Sequence, residues 1–400
     1  MNAFPLQQVA TARLRPGARH LRHLTLLFTS AALFALSSAA SAQVGYQALD
    51  LGTLGSGVSS AAYGINNAGQ VVGSADPGGF RIPSRAVIWT GTVVTDLGTL
   101  VPRGSYATGI NDAGQVVGNS FFGGAPSDHA TLWNGPTPTD LGTLGGSYSG
   151  ATAINNAGQV VGSATTPGIL TSQQHATLWN GTVATDLGTL GGRYSIANGI
   201  NNVGQVVGNS YTAGDAATHA TVWNGSVATD LGTLGGRNSG ANDINDAGQV
   251  VGFANAEGSD FIRATIWNGT LATDLGTLGG TYSLATAINN AGQVVGYAQP
   301  AVIYPNTSGT TGTHATLWNG TVATDLNTAA GLGAGWVLES ATGINDNGWI
   351  SANGRNTLTG EFHAFLLVTT LVPEPGSYAM MLFGLGIVGS VVRRRKGASA

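Results

Sequence analysis

The chain contains no cysteine. Disulfides, thiolate metal sites and cysteine nucleophiles are thereby excluded, and stability has to come from burial and hydrogen bonding alone. Charge is also scarce, because Asp, Glu, Lys and Arg make up only 8% of the 400 residues. That is too little for helices with solvated charged faces. The charge present is segregated: Arg13, Arg15, Arg19 and Arg22 precede Gln43, and Arg393, Arg394, Arg395 and Lys396 follow Val392. The body between them holds seven Arg, no Lys and all 19 acids, a net charge near −12. Nucleic acids and anionic membranes are bound by clustered Lys and Arg, so neither is a partner of this body. Long apolar runs are confined to the two ends, and no helical pattern occurs between Gln43 and Thr370. Glycine is abundant, at 63 residues, which suits many short strands joined by tight turns.

One unit recurs seven times. An Asp-Leu-Gly-Thr-Leu element opens at Asp50, Asp96, Asp140, Asp186, Asp230 and Asp274, with a worn copy at Asp325. An Ile-Asn-x-x-Gly element begins at Ile65, Ile110, Ile154, Ile200, Ile244, Ile288 and Ile344, mostly 44 to 46 residues apart. Such a period marks a repeat architecture built from one supersecondary piece. In the clearest copy, four runs have strand character: Ala151–Asn155, Gln159–Ala164, His175–Trp179 and Thr182–Leu187. Asn156-Ala157-Gly158 supplies the first reversal, and Asn180-Gly181 predicts a type I′ hairpin with positive φ at both positions. The Gly-Thr-Leu-Gly-Gly passage and a variable connector before His175 are the remaining links.

Four antiparallel strands per unit of this length is the blade of a β-propeller. The strand Tyr46–Leu51 has no partners before it, while the last unit supplies Ala341–Asn345, Trp349–Asn353 and His363–Val368 and lacks a fourth. Joined, they complete a seventh blade and leave no open sheet edge. The fold expected over residues 46–368 is therefore an all-β, seven-bladed β-propeller of four-stranded antiparallel blades, closed by the N-terminal strand. An open β-solenoid is the alternative, but it would leave the complementary end strands as a coincidence.

Every histidine of the array occupies one repeat position: His129, His175, His219, His314 and His363, with Arg85 and Arg263 in the other copies. Arginine cannot ligate a metal but donates hydrogen bonds as histidine does, so the position calls for a donor and no metal is expected there. His175, its acceptor Asp186 and the nearby Trp179 form the expected structural lock, repeated in other units. Asn-Gly-Thr or Asn-Gly-Ser at Asn180, Asn224, Asn268 and Asn319 matches a glycosylation sequon, which the hairpin requirement already explains. Asp246 and Asp346 fall in the Asn-Asp-x-Gly turn, where turn chemistry accounts for them without calcium.

A reaction needs one set of unlike groups, and no such set is visible. The acids that depart from the repeat, Asp76, Asp128, Asp215, Glu257, Asp260, Glu339 and Glu361, are scattered through different units. No catalytic residue, cofactor or enzyme activity is expected. In a propeller, the links between blades and between second and third strands share one face, which would collect Tyr106, Tyr148, Tyr194 and Tyr282. Tyrosine offers an apolar ring for stacking and a hydroxyl for bonding, so these four are the candidate binding face for a saccharide, or equally packing residues between blades.

The ends carry addresses. Residues 1–42 run from a basic region through Leu24–Leu36 to Ala40-Ser41-Ala42, the pattern of a secretory signal peptide cleaved after Ala42. At the other end, Pro373-Glu374-Pro375 precedes an apolar stretch from Tyr378 to Val392 and then Arg393-Arg394-Arg395-Lys396. The stretch is short for a membrane span, and its basic end should stay cytoplasmic. Residues 372–400 resemble the PEP-CTERM sorting signal. The resemblance implies an exosortase-type processing enzyme as partner, transient anchoring in the inner membrane of a Gram-negative bacterium, and delivery to the cell surface or extracellular matrix in association with exopolysaccharide. The units resemble the extracellular HAF repeat, whose His-Ala-Phe run stands here as His363-Ala364-Phe365. Together these imply an exported binding or structural module that meets exopolysaccharide or another surface protein, with a propeller enzyme acting on extracellular polysaccharide as the alternative.

Overall fold

Turn chemistry punctuates the chain. The first hairpin of each unit reverses at an Asx turn: in the third unit Asn155 Oδ1 accepts the N–H of Gln159 at 3.0 Å, and Gly158 takes a φ of 78° that a side chain would resist. The second hairpin differs from the expected type. Asn180 pairs with Val183 as part of the ladder, so the two-residue loop is Gly181-Thr182, and only Gly181, at φ 61°, has positive φ. Glycine first with an ordinary second residue is the type II′ pattern, which explains why Thr or Ser follows the glycine here.

The computed structural model describes residues 44–371 apart from 80–81, 123–127, 136, 169–172 and 302–311. The expected leader (1–42), the Pro-Glu-Pro box and the basic tail cluster lie outside the described residues. Among the described residues, seven four-stranded sheets form, six of them from four consecutive strands. In the third unit the strands are Ser149–Ile154, Gln159–Thr165, Gln174–Asn180 and Val183–Asp186, from the axis outward. The seventh sheet takes Trp336–Ile344, Ile350–Asn356 and Phe362–Leu371 from the end of the chain and Val44–Asp50 from its beginning. Each inner strand packs on the next, and Trp336–Ile344 packs on Ser60–Ile65, so the ring closes as a seven-bladed β-propeller.

Each junction between blades is a core of its own. Val117, Ala130 and Leu141 of the second blade meet Ala151, Ile154, Val160, Ala164 and Trp179 of the third. The closing junction is built the same way, with Ala364 and Leu366 against Leu51, Ala62, Val71 and Trp89. Trp179 is fully buried, worth about 4 to 6 kcal/mol for roughly 150–250 Å² removed from water. Its indole N–H finds no partner, as in the five equivalent tryptophans. The tryptophan is thus a wedge of apolar surface, and it contributes no hydrogen bond to the histidine–aspartate contact.

Two departures from the sequence reading have local causes. In the fourth to sixth blades the inner strand starts within the glycine link, at Gly191, Gly235 and Gly279, because the second strand is long enough to pair with it, as Gly191 does with Thr212. A single helical turn, Leu326–Ala329, replaces the link after the sixth blade, in the worn copy at Asp325, where Asp325 caps the N–H of Asn327. A 3₁₀ turn also occurs at Ala213–Asp215.

Candidate functional site

The link face is shaped by the Asp of the Asp-Leu-Gly element. Asp186 Oδ1 accepts the N–H of Gly188 at 2.8 Å, and its Oδ2 takes the Nδ1 proton of His175 at 2.7 Å. The carboxylate therefore fixes the start of the link. His129–Asp140, His219–Asp230 and His314–Asp325 repeat the contact at 2.7 Å, Arg263–Asp274 substitutes at 3.1 Å, and His363 reaches Asp50 across the closure at 2.9 Å. Burial opposes ionisation of Asp325, but hydrogen bonds from His314 and from the Asn327 N–H outweigh it and lower its pKa. A serine then ties each blade to the one before: Ser195 Oγ accepts the N–H of Ala176 at 2.9 Å and donates to the carbonyl of Gly188 at 2.7 Å. Six serines accept in this way.

On this scaffold the four candidate tyrosines all sit half-buried at the link ends of inner strands. Three have an aromatic neighbour on the second strand of their own blade: Tyr106 with Phe121 at 5.6 Å, Tyr194 with Tyr211 at 5.5 Å and Tyr282 with Tyr297 at 5.9 Å. Burial, then the nearness of Tyr148, Asp128 and Tyr63, pushes the Tyr106 hydroxyl up to about 12. Burial likewise raises Tyr194, with Tyr148 next in effect. Tyr106, Tyr148 and Tyr194 lie at the link ends of the inner strands of the second, third and fourth blades, and so form one row over neighbouring blades. Tyr282 stands apart, in a separate cleft of about 770 Å³ with Tyr297, Glu339 and Arg355. The aromatic partners were invisible in the repeat because they occupy different register positions: Phe121 and Tyr211 in one, Tyr297 two residues earlier.

The opposite face is a hydrogen-bonded ring. Asn66, Asn111, Asn155, Asn201, Asn245, Asn289 and Asn345 each donate Nδ2 to the backbone carbonyl of the next blade's asparagine at 3.0 to 3.1 Å, and Asn345 returns to Asn66. The residue after each makes a second ring. The N–H of Asn67, Asp112, Asn156, Asn202, Asp246, Asn290 and Asp346 donates to the next side chain's Oδ1 at 2.8 to 3.0 Å. No two acids are adjacent. Each carboxylate presents Oδ2 to two carboxamides: Asp112 to Asn67 and Asn156, Asp246 to Asn202 and Asn290, Asp346 to Asn290 and Asn67. Two carboxamides thus bond each Oδ2 while a backbone N–H bonds each Oδ1, which makes these acids part of the ring closure. A cavity of about 200 Å³ lies inside.

One further acid escaped the sequence reading. Asp243 stands on an inner strand where other units have Gly or Ala, accepting the N–H of Ile244 at 2.8 Å and of Ile288 in the next blade at 3.0 Å. Burial pushes its pKa up to about 6, against those two hydrogen bonds, which lower it. The signal was available in Ala-Asn-Asp-Ile, the one unit with a charge before its isoleucine. Among the described residues no group of three or more His, Cys, Asp or Glu side chains is placed to hold a metal ion, and no helix is long and apolar enough to cross a membrane.

No curated protein matches the chain in sequence. Among solved structures it is similar to TolB from Acinetobacter baumannii, at 11% identity and a TM-score of 0.40, over 74% of this chain and 63% of that one. The chain thus spans less than two thirds of the TolB chain. Residues 371–396 match the PEP-CTERM protein-sorting motif, and this motif marks an exported protein that an exosortase sorts while it is transiently anchored in the membrane of a Gram-negative bacterium.

Proposed function

We propose that the exported propeller is a non-catalytic module that binds exopolysaccharide outside the cell through its link face. Support comes chiefly from the aromatic row of Tyr106, Tyr148 and Tyr194, held half-buried by a rigid ring. Sugar rings stack on such surfaces through their C–H faces, while the phenol hydroxyls supply hydrogen bonds. The net negative, lysine-free body favours a neutral polymer over an anionic one. The resemblance of the units to HAF repeats fits a working place outside the cell, and the signal peptide ending at Ala42 fits the route there. The bonded closure of both rings on the other face leaves that face a structural role.

Affinity electrophoresis of the full-length protein, purified in detergent, through gels containing the exopolysaccharide of its own host tests this reading. The wild-type protein should be retarded, and Tyr148→Ala with Tyr194→Ala should weaken retardation at unchanged melting temperature. Free migration of the wild type overturns the proposal, and equal retardation of a stably folded double variant removes the tyrosine row from it.

A further inference from the structure

The repeat breaks its own rules at one junction. Between the sixth and seventh blades, Glu339 occupies the position that holds a serine in the other six units, Arg355 stands where other blades have Asp76, Phe121, Thr165, Tyr211, Asn255 or Gln299, and Tyr297 stands where they have Ser, Asn or Phe. None of the three is adjacent to another in sequence, yet all line one cleft. The Tyr282 and Tyr297 rings lie nearly parallel, 21° apart with centroids at 5.9 Å. Arg355 Nε donates to Glu339 Oε1 at 3.3 Å, with the Glu339 side chain only 6% exposed and Arg355 at 30%. The guanidinium also lies over Phe362, its carbon 5.3 Å from the ring centroid. Burial, and then a hydrogen bond to Tyr282, keeps the Tyr297 hydroxyl protonated well above the ordinary range.

A buried ion pair is a poor way to stabilise a junction that six other copies close with a serine hydroxyl, because desolvation consumes most of its attraction. A cleft with an apolar aromatic wall and a neutral pair of strong donors and acceptors is, in contrast, a good match for a pyranose. We propose that this cleft is a subsite for one neutral sugar unit of a polysaccharide, with Tyr282 and Tyr297 forming the stacking wall and the Arg355–Glu339 pair bonding the ring hydroxyls. The proposal rests on the reading of the link face as polysaccharide-binding, and it assigns that face a specific pocket. Neutral sugar is preferred because, among the described residues, Glu339 and Arg355 are the only charged groups lining the cleft, and they compensate each other. No spare cation remains for a uronate.

The other blades supply the test variants: Tyr297→Ser and Glu339→Ser install residues that neighbouring units carry at the same positions, and Arg355→Gln copies Gln299. Exopolysaccharide of the producing bacterium is partially hydrolysed, separated into neutral and acidic oligosaccharides, and titrated into the full-length protein by calorimetry and saturation-transfer NMR. Expected is binding of neutral fragments by the wild type and a loss of about tenfold or more in each variant, the scale of one lost charge-assisted hydrogen bond. Unchanged affinity in Tyr297→Ser and Glu339→Ser refutes the cleft while leaving the face-level reading intact. Binding confined to acidic fragments refutes the neutral assignment. Absence of binding by the wild type overturns both. A variant whose melting temperature falls is replaced by Glu339→Gln, which keeps the side chain's shape and an acceptor for Arg355 Nε while removing the charge, so that no carboxylate is left buried without its partner.

Discussion

Replacing His175 by alanine measures what the repeated histidine does. The imidazole side chain is 16% exposed and its partner carboxylate 41% exposed, so truncation leaves an acceptor that water can reach. A net hydrogen bond of this kind contributes about 0.5–1.5 kcal/mol, below the larger cost of an acceptor stranded in the interior. Loss of the imidazole's packing adds on the order of 1 kcal/mol, for a total of about 1.5–2.5 kcal/mol. Asp186→Ala should cost roughly 1 kcal/mol more, because it also frees the Gly188 N–H bonded to Oδ1 at 2.8 Å. His175→Arg should stay near wild type, since Arg263 makes the same contact with Asp274 at 3.1 Å. Thermal melts resolve the series: His175→Ala should fall by about 2–4 °C, His175→Arg by less, and Asp186→Ala by more. Added chelator should move none of them. A melting temperature lowered by chelation, or a His175→Arg variant as unstable as His175→Ala, would show that the position serves something other than hydrogen-bond donation.

Further outcomes follow from the rings and the tail. Because the folded pKa of Asp243, about 6, lies above its unfolded value, the folded state binds more protons between about pH 4 and 6 and stability falls as pH rises through that window, by about 1–3 kcal/mol. Asp243→Ala, the residue at Ala153 and Ala287, should flatten that dependence in chemical denaturation, and an unchanged slope would refute it. Asn67→Asp places a third carboxylate between Asp112 and Asp346, to which Asn67 now donates, and should cost about 1–3 kcal/mol, less at high salt. A salt-independent loss would contradict this origin. Deleting Tyr378 to Lys396 should release the protein from cells into the medium or misroute it, and unchanged fractionation would remove the sorting role of the tail.

The blades and the closing strand were legible because their signals are local: the Ile-Asn-x-x-Gly turn, the glycine at each hairpin, and end strands that complement each other. The hairpin type was not. Asn180 invites a type I′ assignment, and only the ladder, which keeps it paired with Val183, shows Gly181-Thr182 as the loop. The Asn/Asp ring was equally hidden, since its alternation of amide and acid appears only when blades are ordered around an axis and the last is joined to the first. Sequence distance concealed the cleft as well. Glu339 looked like one scattered acid among seven, and its partner Arg355, 16 residues away, faces it only because the first hairpin of the seventh blade folds them together. Tyr282 was visible as a repeat residue, whereas Tyr297 was visible only as an exception.

The central claim is that the link face, and no other surface, meets saccharide. Full-length protein with isotope-labelled tyrosine rings, titrated with neutral oligosaccharide from the host's exopolysaccharide, tests it residue by residue. The account predicts that ring resonances of Tyr106, Tyr148 and Tyr194, and more strongly those of Tyr282 and Tyr297, shift together on saturation, while Tyr46, buried in the core between the sixth and seventh blades, stays put. Shifts absent from all five link-face tyrosines at saturating saccharide would contradict it.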